Sequence, residues 1–149
     1  MLELNCVVTD IDNTIADTRA RIYRSLKDVG RVDVYEKTAD QYGGFGDYLE
    51  REEEKKFWKI FLSGSYLHLD CPAPGAADFL EDLHNSDVEI IYLTGRQEKG
   101  DSMRAGTEAW LREHEFPSPD RQGVKLFMKP KRNMDDKEFK SAKLRDEFS

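Results

Sequence analysis

Leu4-Asn5-Cys6-Val7-Val8-Thr9-Asp10-Ile11-Asp12-Asn13-Thr14 is the stretch on which the reading of this chain turns. Residues 4–9 have the pattern of a buried β-strand. The strand ends in two carboxylates one residue apart. Like charges repel, and neither side chain can sit unpaired in an apolar core. A divalent cation offsets that cost. It also leaves one carboxylate free to attack and the other free to move protons.

The segments that follow are helical at first. Residues 17–28 read as a helix with Ile22, Tyr23 and Leu26 on one side. Residues 30–46 are loop-like and contain Gly43-Gly44-Phe45-Gly46. Residues 47–62 read as a second helix, with a charged block over 50–56 and an apolar cluster at Phe57, Trp58, Ile60, Phe61 and Leu62. Gly64, Pro72 and Pro74 punctuate the return.

From there helix and strand alternate. A short helix over 74–84 points Phe79, Leu80 and Leu83 inward. An apolar strand over 88–93 ends in Thr94-Gly95-Arg96. A helix capped by Asp101 or Ser102 runs to about His114, with Met103, Trp110 and Leu111 buried. A third strand over 124–128 ends in Lys129-Pro130. Asp135 and Glu138 have capping-box spacing for a last helix. Alternation of apolar strands with helices predicts an α/β fold, a Rossmann-like core with a parallel sheet. The division expected is residues 1–17 and 71–149 as the core, with 18–70 as a small helical cap inserted between strands one and two.

Composition narrows the function. A chain of 149 residues can bury about two thirds of its unfolded surface and needs no disulfides. Cys6 and Cys71 fit no metal spacing, and Cys6 reads as a small core residue. A reducing, cytoplasmic compartment is the default. No apolar run approaches the ~20 residues of a membrane span, and the chain enters its first strand close to Met1, so no membrane association is expected. Net charge is −7 and pI about 5.0, which weighs against tight non-specific binding of nucleic acid. An anionic substrate held by a cation and a few local Lys or Arg residues remains compatible.

Open parallel sheets gather their chemistry outside the C-terminal ends of the strands. Those ends here carry Asp10 and Asp12, then Thr94, Gly95 and Arg96, then Lys129, with Lys140 on the following helix. Two acids, a hydroxyl beside a glycine, a guanidinium and two ammonium groups suit a phosphate monoester. Arg96 reads as a bidentate phosphate clamp, against the plainer reading of a surface residue at a helix start. Lys129 is equally a substrate contact or a solvated strand-end lysine. Asn13 tolerates left-handed backbone.

The chain resembles the haloacid dehalogenase-like phosphohydrolase superfamily. The likeness lies in Asp10-x-Asp12-x-Thr14 after a buried strand, Thr94 at the end of the next, and Lys140 in the helix after the third. Tyr92-Leu93-Thr94-Gly95-Arg96, Thr107-x-x-Trp110-Leu111, Phe127-Met128-Lys129-Pro130 and Phe139-Lys140 are similar to the phosphatase domain of polynucleotide kinase-phosphatases.

The resemblance implies an Mg²⁺-dependent phosphatase with Asp10 as nucleophile and metal ligand. Asp12 is then the general acid–base and a second metal ligand through its backbone carbonyl. Its nearness to Asp10 should raise its pKa. Thr94 and Lys140 bind the phosphoryl group, with Gly95, Arg96 and Lys129 as substrate contacts and the Thr14 hydroxyl as a brace of the loop. The implied substrate is a nucleotide or a nucleic-acid 3′-phosphate end. A small-metabolite phosphatase and a catalytically weak protein that binds a phosphorylated ligand or partner are the alternatives.

One departure stands. The family's fourth motif, an acidic pair at the end of a further strand, has no counterpart after Lys140. Asp135-Asp136 precedes Lys140 and follows a loop. The missing strand would lie beside the first and cover its edge. A truncated chain, a dimeric or swapped assembly, or a degenerate enzyme each accounts for this. Tyr42, Phe45 and Tyr48 are the better candidates for touching substrate, and Phe57, Trp58 and Phe61 for the core of the insertion.

Overall fold

Strand β1 (Cys6–Thr9) pairs in parallel with β4 (Glu89–Gln97), which pairs in parallel with β5 (Val124–Lys129). The protein is described by a computed structural model that covers residues 3–38, 44–98, 102–130 and 134–149. β4 is central because it is the most apolar strand. Residues 90–94 are all buried, as a strand covered on both faces requires. Helices α4 (Ala76–Asn85), α5 (Ser102–Glu113) and α6 (Asp136–Phe148) pack on it. This is the expected α/β architecture. Among the described residues the outer edge of β1 pairs with no strand, and Val8 is 37% exposed there. No helix among them is long and apolar enough to cross a membrane.

Two hydrophobic clusters organise the packing. The larger joins Ile11, Ile90, Tyr92, Met103, Trp110, Leu111, Phe116 and Leu126 around the sheet. The smaller joins Ile22, Leu26, Val34, Phe45 and Phe57, all from the inserted segment. That segment contains α1 (Arg19–Asp28), α2 (Val32–Thr38), a 3₁₀ turn over Phe45–Tyr48 and α3 (Arg51–Phe61). A short antiparallel pair, β2 (Ala16–Asp17) with β3 (Cys71–Pro72), closes its neck, helped by a bond from Ala73 N to Ile15 O of 2.8 Å. Leu67 belongs to the larger cluster, so the chain rejoins the core before the neck is crossed.

Several local readings need correction. Helix α2 lies where a loop was expected. Seven residues are too few to display a period, and its burial rests mainly on Val34 meeting Ile22 and Leu26. The two-residue strands of the neck are likewise too short for a pattern. Tyr23 is exposed and meets Tyr35 edge-on at 5.2 Å, while Arg21 takes the buried place beside Ile22 and Leu26. Phe79 is 60% exposed, because Ala76, Ala77, Leu80 and Leu83 form the inward stripe of α4. Cys6 is half-buried rather than enclosed. Tyr42 and Asp101 lie outside the described residues.

Trp110 links the larger cluster to the neck. It is 2% exposed, stacks on Phe116 at 5.3 Å, and donates from Nε1 to Asp70 O at 2.9 Å. Trp110→Ala is expected to lower the unfolding free energy by about 3–5 kcal/mol. Trp110→Phe, which keeps most of the packing and loses the hydrogen bond, should cost about 1–2 kcal/mol. Urea titrations of both variants check this, and equal small losses would contradict it.

Candidate active site

The loop after β1 is wound tightly around one carbonyl. Ile11 O accepts from Thr14 N, Ile15 N and Ala16 N at 3.0–3.2 Å, and Asn13 N donates to Ala16 O at 2.7 Å. Asn13 sits at φ 62°, the left-handed conformation its side chain suits. The side-chain brace is Thr18, whose Oγ1 donates to Asn13 Oδ1 at 2.8 Å. Thr14, expected in that role, is exposed, and no described residue bonds its hydroxyl. The turn aims Asp10 and Asp12 into one cavity of about 460 Å³, along with Thr94, Gly95, Lys129 and Lys140.

Asp10 is held at both oxygens. Its Oδ1 accepts from Ile11 N at 2.8 Å, and its Oδ2 from Lys140 Nζ at 2.9 Å. Lys140 comes 130 residues later, on α6, whose first turn is capped by Asp135 accepting from Glu138 N at 2.9 Å. The Asp10–Lys140 pair is partly exposed, 36% and 29% at the side chains, so both groups stay open to a ligand.

Asp12 has different partners. Its Oδ1 accepts from Arg96 Nη2 at 2.6 Å, Arg96 Nε at 3.1 Å and Arg21 Nη2 at 2.8 Å. Burial pushes the carboxyl up, but the charges and hydrogen bonds of Arg96 and Arg21 prevail and hold it below the usual carboxylate range. This reverses the shift expected from its nearness to Asp10. Among the described residues Oδ2 accepts no hydrogen bond, and the side chain remains 28% exposed.

Arg96 is buried rather than reaching toward solvent. Beyond Asp12, its Nη2 donates to Asp70 Oδ2 at 3.0 Å and its Nη1 to Thr107 Oγ1 at 3.0 Å. A bulge between Thr94 and Gln97 sets this direction, because Thr94 pairs with Met128 and Gln97 with Lys129, leaving Gly95 and Arg96 unmatched. Four of the five guanidinium N–H groups are thereby occupied, which removes Arg96 as a phosphate clamp. Arg21 closes the figure, with Nε on Asp70 Oδ1 at 3.0 Å. Neither Arg21 nor Asp70 stood out in the sequence.

Lys129 is nearly buried and pairs with Asp136 at the cavity wall. Gly95 packs against the Asp136 carboxylate, which would have to move to admit a Cβ there. Thr94 Oγ1 accepts from Arg96 N at 3.1 Å and lines the cavity. The opposite wall comes from the insertion, with Ile22, Phe45, Trp58, Phe61 and Leu62. Phe57 is fully buried in the smaller cluster, whereas Trp58 and Phe61 reach the cavity. Of the aromatic residues picked as substrate contacts, Phe45 lines the cavity and Tyr48 does not.

The oxygens that Asp10 and Asp12 bring to the cavity are hard donors, the kind that suits a divalent cation. They fit Mg²⁺ in kind, and Mg²⁺ ordinarily keeps several waters. No cluster of three or more His, Cys, Asp or Glu among the described residues could hold a metal.

Burial pushes the Asp70 carboxyl up to about 6, against the pull of Arg21 and Arg96. A raised folded-state pKa adds stability below the unfolded value, near pH 4, and that contribution is lost as pH rises through about 6. The melting temperature of the parent minus that of Asp70→Asn, measured against pH, should therefore fall between pH 4 and pH 7. A difference that rises across that window would contradict the assignment.

No family model matches the chain. It is 33% identical over 116 residues to a curated protein of Bacillus cereus named "Putative nucleotidase", a match covering 72% of this chain and 58% of that one. The chain thus spans somewhat more than half the length of that relative. The crystal structure of a "Putative Phosphatase" from Clostridium difficile superposes with a TM-score of 0.63 at 15% identity, over 97% of this chain and 71% of that one. A HAD-superfamily hydrolase of subfamily IA from Geobacter sulfurreducens gives 0.51 at 12% identity, over 84% and 62%. The specific likeness to polynucleotide kinase-phosphatases is not carried by these relatives. What the two solved structures share with this chain is the fold, an α/β core.

Proposed function

We propose that the protein hydrolyses phosphomonoesters through Asp10, with a nucleoside monophosphate as the favoured substrate. The observation that carries this reading is the Lys140 ammonium 2.9 Å from Asp10 Oδ2, on the floor of a cavity whose roof is aromatic. A carboxylate so placed has a cation beside it to receive an anionic target, and the lysine remains available to the incoming phosphate. The cavity, about 460 Å³, falls within the roughly 300–1,000 Å³ of small-ligand sites. Phe45, Trp58 and Phe61 give the roof an aromatic lining against which a base could lie, and the floor offers Thr94 and Lys140 to a phosphate. The name borne by the Bacillus cereus relative agrees with a nucleotide. A net charge of −7 weighs against a long polynucleotide, so a nucleic-acid 3′-phosphate end ranks second.

The chemistry divides into two halves. An Asp10 oxygen forms a bond to phosphorus as the ester P–O bond breaks, and the leaving oxygen takes a proton from Asp12. Water then attacks the same phosphorus, passes a proton to Asp12, and the Asp10–phosphorus bond breaks to release inorganic phosphate. Asp12 is poised as the base of the second half by Arg21 and Arg96. The dianionic substrate, arriving beside it, raises its proton affinity for the first half. Thr94 and Lys140 meet the phosphoryl oxygens, where one preorganised donor is worth on the order of 3 kcal/mol. Asp10 and the Asp12 carbonyl would hold Mg²⁺, which neutralises charge between the nucleophile and its anionic target.

Phosphate release from p-nitrophenyl phosphate with Mg²⁺ tests the nucleophile. Asp10→Asn should lose at least about 1,000-fold in kcat, and equal turnover by both proteins would end the hypothesis. Chelation by EDTA should abolish release by the parent, and added Mg²⁺ should restore it. For the roof, Trp58→Ala should raise KM about ten-fold for a nucleoside monophosphate and leave glycerol 2-phosphate nearly unchanged, on the scale of one lost base–aromatic stack. Equal effects on both esters would remove base stacking from the account.

A further inference from the structure

Asp70 and Arg21 lie outside the chemistry just described, yet both are fully buried and charged. Asp70 is the last residue before β3, at one strand of the neck. Arg21 lies on the first turn of α1, just past the other. They pair at 3.0 Å, and with Arg96 and Asp12 they form a closed ring of two carboxylates and two guanidiniums. Side-chain exposures of 1%, 0% and 1% for Arg21, Asp70 and Arg96 place three of the four members out of water. Asp12 and Arg96 line the cavity, and of the four only Asp12 keeps a partly exposed side chain.

We propose that Asp70 and Arg21 are positioning residues that fix the orientation of the Asp12 carboxylate and join it to the seat of the inserted segment. The geometry gives each contact a role. Arg21 and Arg96 converge on the same oxygen of Asp12, which leaves Oδ2 as the atom able to exchange a proton with substrate. Asp70 presents one oxygen to each arginine and so sets the spacing of the two guanidiniums. Its backbone carbonyl is tied to the core by Trp110 Nε1. Arg21 also reaches the cavity roof, with Nη1 donating to Phe61 O at 3.3 Å and the guanidinium 4.1 Å over the Phe61 ring. A shift of the insertion at its neck therefore moves Arg21, and Arg21 moves Asp12. The inference rests on the phosphatase reading and extends it to residues that touch no substrate.

The test compares two esters with Mg²⁺. The leaving group of glycerol 2-phosphate is an alkoxide that needs the proton of Asp12, and that of p-nitrophenyl phosphate is a phenolate that does not. Asp70→Asn should lower kcat/KM, which reads the first half alone, about ten-fold or more on the alkyl ester and less than about three-fold on the aryl ester, because the second half, in which Asp12 is the base, is common to both. Should Asp70→Asn fail to fold, the double variant Arg21→Met with Asp70→Leu removes the pair together and leaves no uncompensated charge. It should fold by circular dichroism and show the same split. Equal loss on the two esters, or no loss, in a folded variant overturns the proposal while Asp10→Asn still separates from the parent. A parent that turns over neither ester overturns the phosphatase reading, and the positioning role with it.

Discussion

Two carboxylates at the end of one strand, which proves to be a half-buried edge strand rather than the buried one expected, must be kept apart in charge, and the rest of the site follows from how this chain does so. Asp10 is answered by a single ammonium from the far end of the sequence, in a pair that is partly open to water. Asp12 is answered by two buried guanidiniums. One acid is thus left accessible and the other is gripped. The difference suits Asp10 to the nucleophilic role proposed for it, and Asp12, fixed in orientation with one oxygen unbonded among the described residues, to the proposed handling of protons. The sheet positions the first partner, since α6 packs across β4 and β5 and delivers Lys140 above the end of β1. The insertion positions the second through Arg21.

Buried ion pairs are weak evidence for stability, because desolvation can exceed their Coulombic gain. The ring of Asp12, Arg21, Asp70 and Arg96 is better understood as a specificity device. It uses residues flanking the two strands of the neck and one residue of the central strand to hold one oxygen of one side chain. Its cost is shared by a dense local core, in which Trp110 and Thr107 tie Asp70 and Arg96 to α5.

Much of this was legible in the residues. The apolar strands, Asp-x-Asp-x-Thr, Thr94-Gly95-Arg96 and a lysine on the last helix carry strong local signals. They led to the parallel sheet and to the cavity floor. The missed features share a physical cause. Arg21 and Asp70 look like surface charges until a partner 49 residues away is known. The direction of Arg96 depends on a bulge whose register no single strand encodes. Helix α2 and the neck strands are too short to show a period. The lowered pKa of Asp12 could not be foreseen from its neighbour Asp10, because the deciding charges come from two other elements.

The central claim is that Asp10 carries the phosphoryl group between the two halves of the reaction. Acid quenching during turnover, followed by borohydride reduction and peptide mapping, locates such an intermediate directly. The account predicts reduction of Asp10 to homoserine in the parent and none in Asp10→Asn. Turnover with no protein-bound phosphoryl group, or with the label on another residue, would contradict it.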